Sequence, residues 1–252
     1  MESLAHVRIV LDRTSHPGNI GSAARAMKVM GLSDLRLVAP ARFPDAEATA
    51  LASSADDVLD SATVHDTLDD ALAECTLVIG TSARRRSIEQ EMTDARGAAR
   101  MALESDAPVA MLFGCERSGL DNPALDRCRA LIRIPTDSDY GSLNLAQAVQ
   151  VVCYELRMTA LDAAPRPSAP ARVPASDRRM EVFFSRLERT LEAIRFSTPG
   201  QDETLHRRLR RLFLRARPDD DELNMLNGIL SRTLKTADVN ERNRADKRSD
   251  DG

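Results

Sequence analysis

Tryptophan is absent from this sequence, and tyrosine and phenylalanine number only two and six. With so few ring faces on which bases could stack, the composition argues against a single-strand binder built on aromatic platforms. Long apolar runs are missing as well. No window approaches the roughly 18 apolar residues of a membrane span, and the opening MESLAHVRIVLDR lacks a stretch of signal-peptide length. A cytoplasmic protein without membrane association is the expectation. Cys75, Cys115, Cys128 and Cys153 show neither CxxC spacing nor nearby histidines, so no disulfide framework and no metal site are expected.

What is present is a soluble globular composition, 42% hydrophobic and 29% charged. A chain of 252 residues can build one substantial α/β domain with a smaller appendage. The net charge of −4 conceals an asymmetry. Residues 1–164 hold 16 Lys/Arg against 24 Asp/Glu, whereas residues 165–252 hold 19 against 15. Any nucleic-acid footprint therefore rests on local arginine clusters rather than on bulk charge.

Short β-branched or leucine-rich runs stand at 7–11, 35–39, 76–80, 108–113 and 130–134. They lack polar alternation, as strands covered on both faces do, and they alternate with helical stretches at 20–30, about 45–60, 66–74, 93–105 and 143–161. This predicts a largely parallel, doubly wound sheet. Asn19, Asp66 and Thr93 are the expected helix caps, and Gly31 the expected stop of the first helix. Leu145, Val149, Val152 and Leu156 share one face of the last helix. The α/β domain is placed at 1–161, followed by a Pro/Ala-rich linker at 162–176. Three apolar stripes then predict a small helical domain at 177–236: Phe183, Leu187, Leu191 and Ile194; Leu205, Leu209 and Leu212; Leu223, Leu226, Leu230 and Leu234. Residues 237–252 are charged and almost without apolar side chains, which predicts a disordered tail.

Three segments carry chemistry. In 14-TSHPGNIGSAARAM-27 a strand gives way to a helix whose first N–H groups could face an anion, with Asn19 at its start and Arg25 further along. The spacing is GxxG, not GxGxxG, so a nicotinamide site is not indicated. In 111-MLFGCERSGLDNPAL-125 a buried strand runs into Gly114 and a charged loop. In 132-IRIPTDSDYGSLNLAQAV-149, Ser142 and Asn144 stand at a helix start; Ser142 also reads as a simple N-cap, and no GxSxG elbow makes it a nucleophile. Together with 78-VIGTSARRR-86, these segments put glycine- or serine-bearing loops at the carboxyl ends of strands, where open parallel sheets bind ligands.

Taken together, GNIGSAARAM at 18–27, LFGCERSGL at 112–120 and IPTDSDYGSLNLAQAV at 134–149 resemble the three motifs of the SPOUT superfamily of RNA methyltransferases. The resemblance is closest to a bacterial branch that methylates the ribose of nucleotide thirty-two in the tRNA anticodon loop. It covers residues 5–160 and resumes around 180–232.

The resemblance implies an α/β domain ending in a deep trefoil knot around 112–149, a small C-terminal helical domain, and a homodimer that uses both subunits in each active site. S-adenosylmethionine is the implied cofactor, held by Thr81, Ser82, Ala83, Gly114, Ile134, Gly141, Ser142 and Leu143. The implied catalytic set is Arg25 at the reacting hydroxyl, with Asn19, Glu116, Ser142 and Asn144 positioning it, the ribose and the donor. A guanidinium is a poor base at neutral pH, so Arg25 is expected to fix a phosphate and steer proton loss onto it. tRNA is the expected partner, contacted through Arg84, Arg86, Arg207, Arg208, Arg211 and Arg215. Relatives often carry arginine where Cys115 stands. The competing readings are a ribosomal RNA target or another tRNA ribose, and a non-catalytic RNA-binding module that kept the knot for dimerisation.

Overall fold

The structure, a computed structural model, describes residues 4–82, 91–137, 141–162, 173–198 and 202–250, with side chains described as far as 239. The chain divides into two compact units, Met1–Val173 and Pro174–Gly252.

In the first unit β1(Val7–Asp12), α1(Pro17–Met30), β2(Asp34–Val38), α2(Ala46–Ala52), α3(Asp56–Asp60), β3(Thr63–His65), α4(Leu68–Leu72) and β4(Leu77–Thr81) are followed by β5(Glu91–Thr93), α5(Ala95–Leu103), β6(Val109–Phe113), α6(Asn122–Asp126), β7(Ala130–Ile132) and α7(Leu145–Asp162). The sheet order is β3-β2-β1-β6-β4-β7-β5 and every pairing is parallel. Strand alternation divides the core in two. Val7, Ile9, Leu11, Leu35, Leu37, Ile79, Met111, Phe113 and Ile132 face the layer formed by α1, α2, α3, α5 and α7. Their neighbours Val10, Val38, Val78, Ala110, Leu112 and Leu131 face α4 and α6. Both faces are covered, which is why the strands read as unbroken apolar runs.

One position of the GxxG segment has a packing role. A Cβ on Gly21 would stand 1.9 Å from the Ala48 carbonyl oxygen, so only glycine lets α1 cross α2 at this distance. Gly31 ends α1 with φ of 82° as expected, and Leu145, Val149, Val152 and Leu156 of α7 are buried together.

Several expectations are corrected. Asn19 does not cap α1: the cap is His16, Pro17 opens the helix, and Asn19 is its third residue. Proline preorganises the first turn and moves the start back. Thr67 and Asp94, each one residue past the expected position, cap α4 and α5 through Asp70 and Gly97 N–H groups. The single helix expected at 45–60 is two, because Ser53 and Ser54 take left-handed backbone with φ of 50° and 73°. The three-residue strands β3 and β5 and the short helix α6 were too brief to show a period.

The second unit holds α8(Asp177–Ala193), α9(Glu203–Ala216) and α10(Asp220–Asp250). Its core is Ala175, Met180, Phe183, Phe184 and Leu223, with Leu187, Phe213, Leu214, Leu226 and Leu230 against it. Three of the six phenylalanines meet here, Phe213 packing edge-on to Phe183 at 4.7 Å. Leu212 and Ile194, expected in the stripes, are exposed, and α9 instead turns Phe213 inward. Helix α10 runs on to Asp250 where a disordered tail was expected. Residues 237–250 contain no glycine or proline, so low apolar content does not stop a helix already nucleated upstream. Among the described residues, no helix is long and apolar enough to cross a membrane.

Candidate active site

β1, β4, β6 and β7 are parallel neighbours, so the segments after Asp12, Thr81, Phe113 and Ile132 leave the sheet on one edge. Between the last three lies a pocket of about 470 Å³, within the usual range for a small-molecule site. Of the eight residues expected to hold a donor, Thr81, Ser82, Gly114, Ile134, Gly141, Ser142 and Leu143 line this pocket. Ala83 lies outside the described residues, as do Arg84 and Arg86.

The loop after β6 is a tight, cross-braced turn. Cys115 and Gly119 form an antiparallel bridge, the Gly119 N–H donating to the Cys115 carbonyl at 2.9 Å. A Cβ on Gly114 would fall 2.2 Å from the backbone of Gly119 and Leu120, so this position admits no side chain. The Cys115 Sγ and Ser118 Oγ lie 2.9 Å apart, and this contact is the largest influence lowering the thiol pKa.

The Glu116 side chain leaves the turn toward the start of α1. Its Oε2 accepts from the Ser15 N–H at 3.0 Å and hydroxyl at 2.8 Å; its Oε1 accepts from the His16 N–H at 3.3 Å and Asn19 Nδ2 at 2.8 Å. Partial burial pushes this carboxyl toward its neutral form, but the donors from Ser15, Asn19 and its own N–H outweigh it and hold the pKa at about 2. The anion expected at the first N–H groups of α1 is thus a carboxylate of the chain itself.

Asn19 continues the chain of bonds. Its Oδ1 accepts from Asn144 Nδ2 at 2.9 Å, and the Asn144 Oδ1 accepts from the Ala146 N–H at 2.9 Å, capping α7. The cap of α7 is therefore Asn144 and not Ser142, which leaves Ser142 exposed on the pocket wall. Glu116, Asn19 and Asn144, from three separate motifs, are one hydrogen-bonded line beside the pocket.

Arg25 is not brought to that line. Six residues along α1 amount to about 600° of rotation, so Arg25 leaves the helix on a different face from Asn19. It is exposed and makes no side-chain hydrogen bond or ion pair among the described residues.

Sequence reasoning missed a second brace. Arg13 has φ of 53°, and its guanidinium bonds the buried Asp12 at 2.8 Å and Asp121 at 2.7 Å. The Asp12 hydrogen bond is the largest influence on Arg13 and raises its pKa. Since Asp121 caps α6, Arg13 ties the end of β1 to the far end of the 114–120 turn. Left-handed backbone at a non-glycine residue carries no local sequence signal. Arg117 also lines the pocket, and no spacing in the sequence singles it out.

Among the arginines of α9, Arg207 pairs with Glu203, and Arg210 pairs with Glu181 while lying 4.3 Å over the Phe184 ring. Arg208, Arg211 and Arg215 recur at helical spacing on one face with no acidic partner among the described residues. No group of His, Cys, Asp or Glu among the described residues could hold a metal ion.

Comparison with known proteins adds an independent line. Residues 6–154 match the model of the SpoU rRNA Methylase family, and residues 178–242 match that of the tRNA methyltransferase TrmJ, C-terminal domain. The tRNA (cytidine/uridine/adenosine-2'-O-)-methyltransferase TrmJ of Pseudomonas aeruginosa is 46% identical over 98% of this chain and 100% of its own length. The crystal structure of TrmJ from Z. mobilis ZM4 superposes with a TM-score of 0.79 at 35% identity, covering 89% of this chain and 97% of that one. An AdoMet-bound rRNA methyltransferase from Sinorhizobium meliloti aligns at a TM-score of 0.51 and 25% identity over 62% of this chain and 57% of that one.

Proposed function

The chain belongs to the SpoU rRNA methylase family, and from that premise we propose that it transfers a methyl group from S-adenosylmethionine to a tRNA ribose 2′-hydroxyl, at the cytidine or uridine of nucleotide thirty-two in the anticodon loop. It acts in the cytoplasm as a homodimer. The observation that carries this reading is the Glu116–Asn19–Asn144 line, which joins three distant motifs by hydrogen bonds and reaches the pocket wall at Glu116.

The lining fits the donor. Leu120, Ile134 and Leu143 give apolar surface for a purine, while Thr81, Ser82, Ser142 and the backbone at Gly114 and Gly141 give polar groups for a ribose and an amino-acid end. When bound, the donor supplies a methyl group already activated by its sulfonium, so the protein's tasks are alignment and removal of one proton. Glu116 stays ionised and anchors Asn19; Asn144 fixes the start of α7 below Ser142, whose hydroxyl is free for the ribose. Arg25, on the outer face of α1, serves the donor pocket of a second copy, holding the phosphate that receives the proton.

The placing of β7 between β4 and β5, strands the chain visits consecutively, supports a knotted path through 112–149. Arg208, Arg211 and Arg215 of the helical unit form the phosphate-facing stripe, with Arg207 beside them; Arg84 and Arg86, outside the described residues, complete the expected RNA contacts.

The test is mass mapping of tRNA from a deletion strain, followed by incubation of that tRNA with the purified protein and donor. The expected result is loss and then restoration of the 2′-O-methyl group at nucleotide thirty-two. An unmodified anticodon loop after incubation, with methyl groups appearing in ribosomal RNA or elsewhere in tRNA, overturns the choice of substrate.

A further inference from the structure

Only two charged side chains are found among the described residues lining the pocket, Glu116 and Arg117. Their situations are opposite. The Glu116 carboxylate is engaged by Ser15, His16 and Asn19, and it offers nothing to its neighbour. Arg117 is exposed, and its side chain makes no hydrogen bond or ion pair among the described residues. Its backbone, in contrast, is held in the Cys115–Gly119 turn, which is closed by its own bridge and tied to α1 through Glu116. A free guanidinium on a rigid mount at the mouth of a ligand pocket is preorganised to grip an anion.

Two anions come to this mouth, the carboxylate of the donor and the phosphates of the RNA. The donor carries an ammonium beside its carboxylate and a sulfonium further in, so a cation near it meets two repulsions for one attraction. RNA brings a negative charge with every nucleotide and arrives from the solvent side, where Arg117 stands. We propose that Arg117 is a substrate-binding residue that clamps a phosphate next to the reacting ribose, seating the RNA over the pocket without taking part in donor binding.

The inference rests on the tRNA reading above, so the wild-type protein is assayed first. No transfer to tRNA by the wild type overturns both readings; transfer by the wild type leaves Arg117 to be judged by itself. Arg117→Ala removes no observed contact, and its fold is checked by thermal unfolding. With tRNA transcript as substrate, the expected outcome is a rise of about tenfold in the tRNA KM, a salt dependence of that KM weaker by roughly one power of salt concentration, and calorimetric affinity for S-adenosylmethionine within about twofold of wild type. Arg117→Lys, which keeps the charge and loses the fork, recovers part of the KM. Weakened donor binding with an unchanged tRNA KM would assign Arg117 to the donor carboxylate and overturn the proposal. Unchanged values for both ligands overturn it equally.

Discussion

Asn19 reaches Glu116 across 97 residues of sequence, donating from Nδ2 to Oε1 at 2.8 Å while its Oδ1 accepts from Asn144 at 2.9 Å. Only one orientation of the amide satisfies both neighbours, since a carboxylate can only accept and the Asn144 Nδ2 can only donate. Asn19 is therefore a relay of fixed polarity. In Asn19→Asp a second carboxylate faces Glu116 in place of a donor. The expected cost is about 2–3 kcal/mol of stability and a fall in methyl transfer on the order of a hundredfold. Thermal unfolding and single-turnover kinetics check this, and a variant within twofold of wild type would remove the relay from the mechanism.

Glu116 also makes a prediction about acid. Its pKa in the folded chain, about 2, is below the ordinary carboxylate range, so the unfolded chain binds the proton more readily. The stabilisation is complete above the ordinary range and is lost as pH falls toward about 2. Glu116→Gln should thus be less stable than wild type at pH 7, and the gap should narrow steadily below about pH 4. Urea unfolding of both proteins at a series of pH values measures the gap. A constant difference across that range would mean that the carboxylate charge contributes nothing.

Much of this arrangement was legible in the sequence, and the parts that were not share a cause. The unbroken apolar runs at 7–11 and 35–39 and the helical period of Leu145, Val149, Val152 and Leu156 are patterns among near neighbours that local reading detects. The motifs showed which segments carry chemistry, but not that the backbone of Gly119 and Leu120 closes on Gly114. Which side chain meets which was hidden. Glu116 occupies the anion position at α1 from a hundred residues away, and Asn19 became a relay inside the helix because Pro17 moved the helix start. The Arg13 brace depends on a left-handed residue and a distant cap, neither of which leaves a trace in spacing.

The α1–α2 crossing sets how firmly α1 is seated. Gly21→Ala would place a methyl group 1.9 Å from a backbone carbonyl oxygen, and backbone cannot rotate away as a side chain does. A loss of about 2–3 kcal/mol is expected, seen as a lower denaturant midpoint with an unchanged slope. Stability equal to wild type would mean that α2 is free to move outward.

Two arginines one residue apart in α9 should behave differently. Arg210 pairs with Glu181 and covers the Phe184 ring, so Arg210→Ala should loosen the helical unit through lost packing. Arg211 has no partner among the described residues, so Arg211→Ala should leave stability within about 0.5 kcal/mol. Its tRNA affinity should nevertheless fall severalfold, with a shallower salt dependence. Filter binding at several salt concentrations, set beside thermal unfolding, separates the two. Intact tRNA affinity for Arg211→Ala would take the stripe of Arg208, Arg211 and Arg215 out of substrate binding.

Arg25 and the Asn19 line leave α1 on different faces, and that geometry makes the dimer testable without a complex structure. If each active site combines the pocket of one copy with Arg25 of the other, Arg25→Ala and Asn19→Leu are each nearly inactive alone. Mixed and allowed to exchange subunits, they complement. A heterodimer then contains one site with both residues intact and one with neither, so random pairing returns about a quarter of wild-type activity. If Arg25 acted in its own copy, every site in every pairing would lack one residue and mixing would restore nothing. Donor binding by calorimetry should remain near wild type in Arg25→Ala, because the residue is assigned to the RNA phosphate that takes the proton and not to the donor. Loss of donor affinity together with transfer would make Arg25 a structural residue and leave the proton without its proposed path.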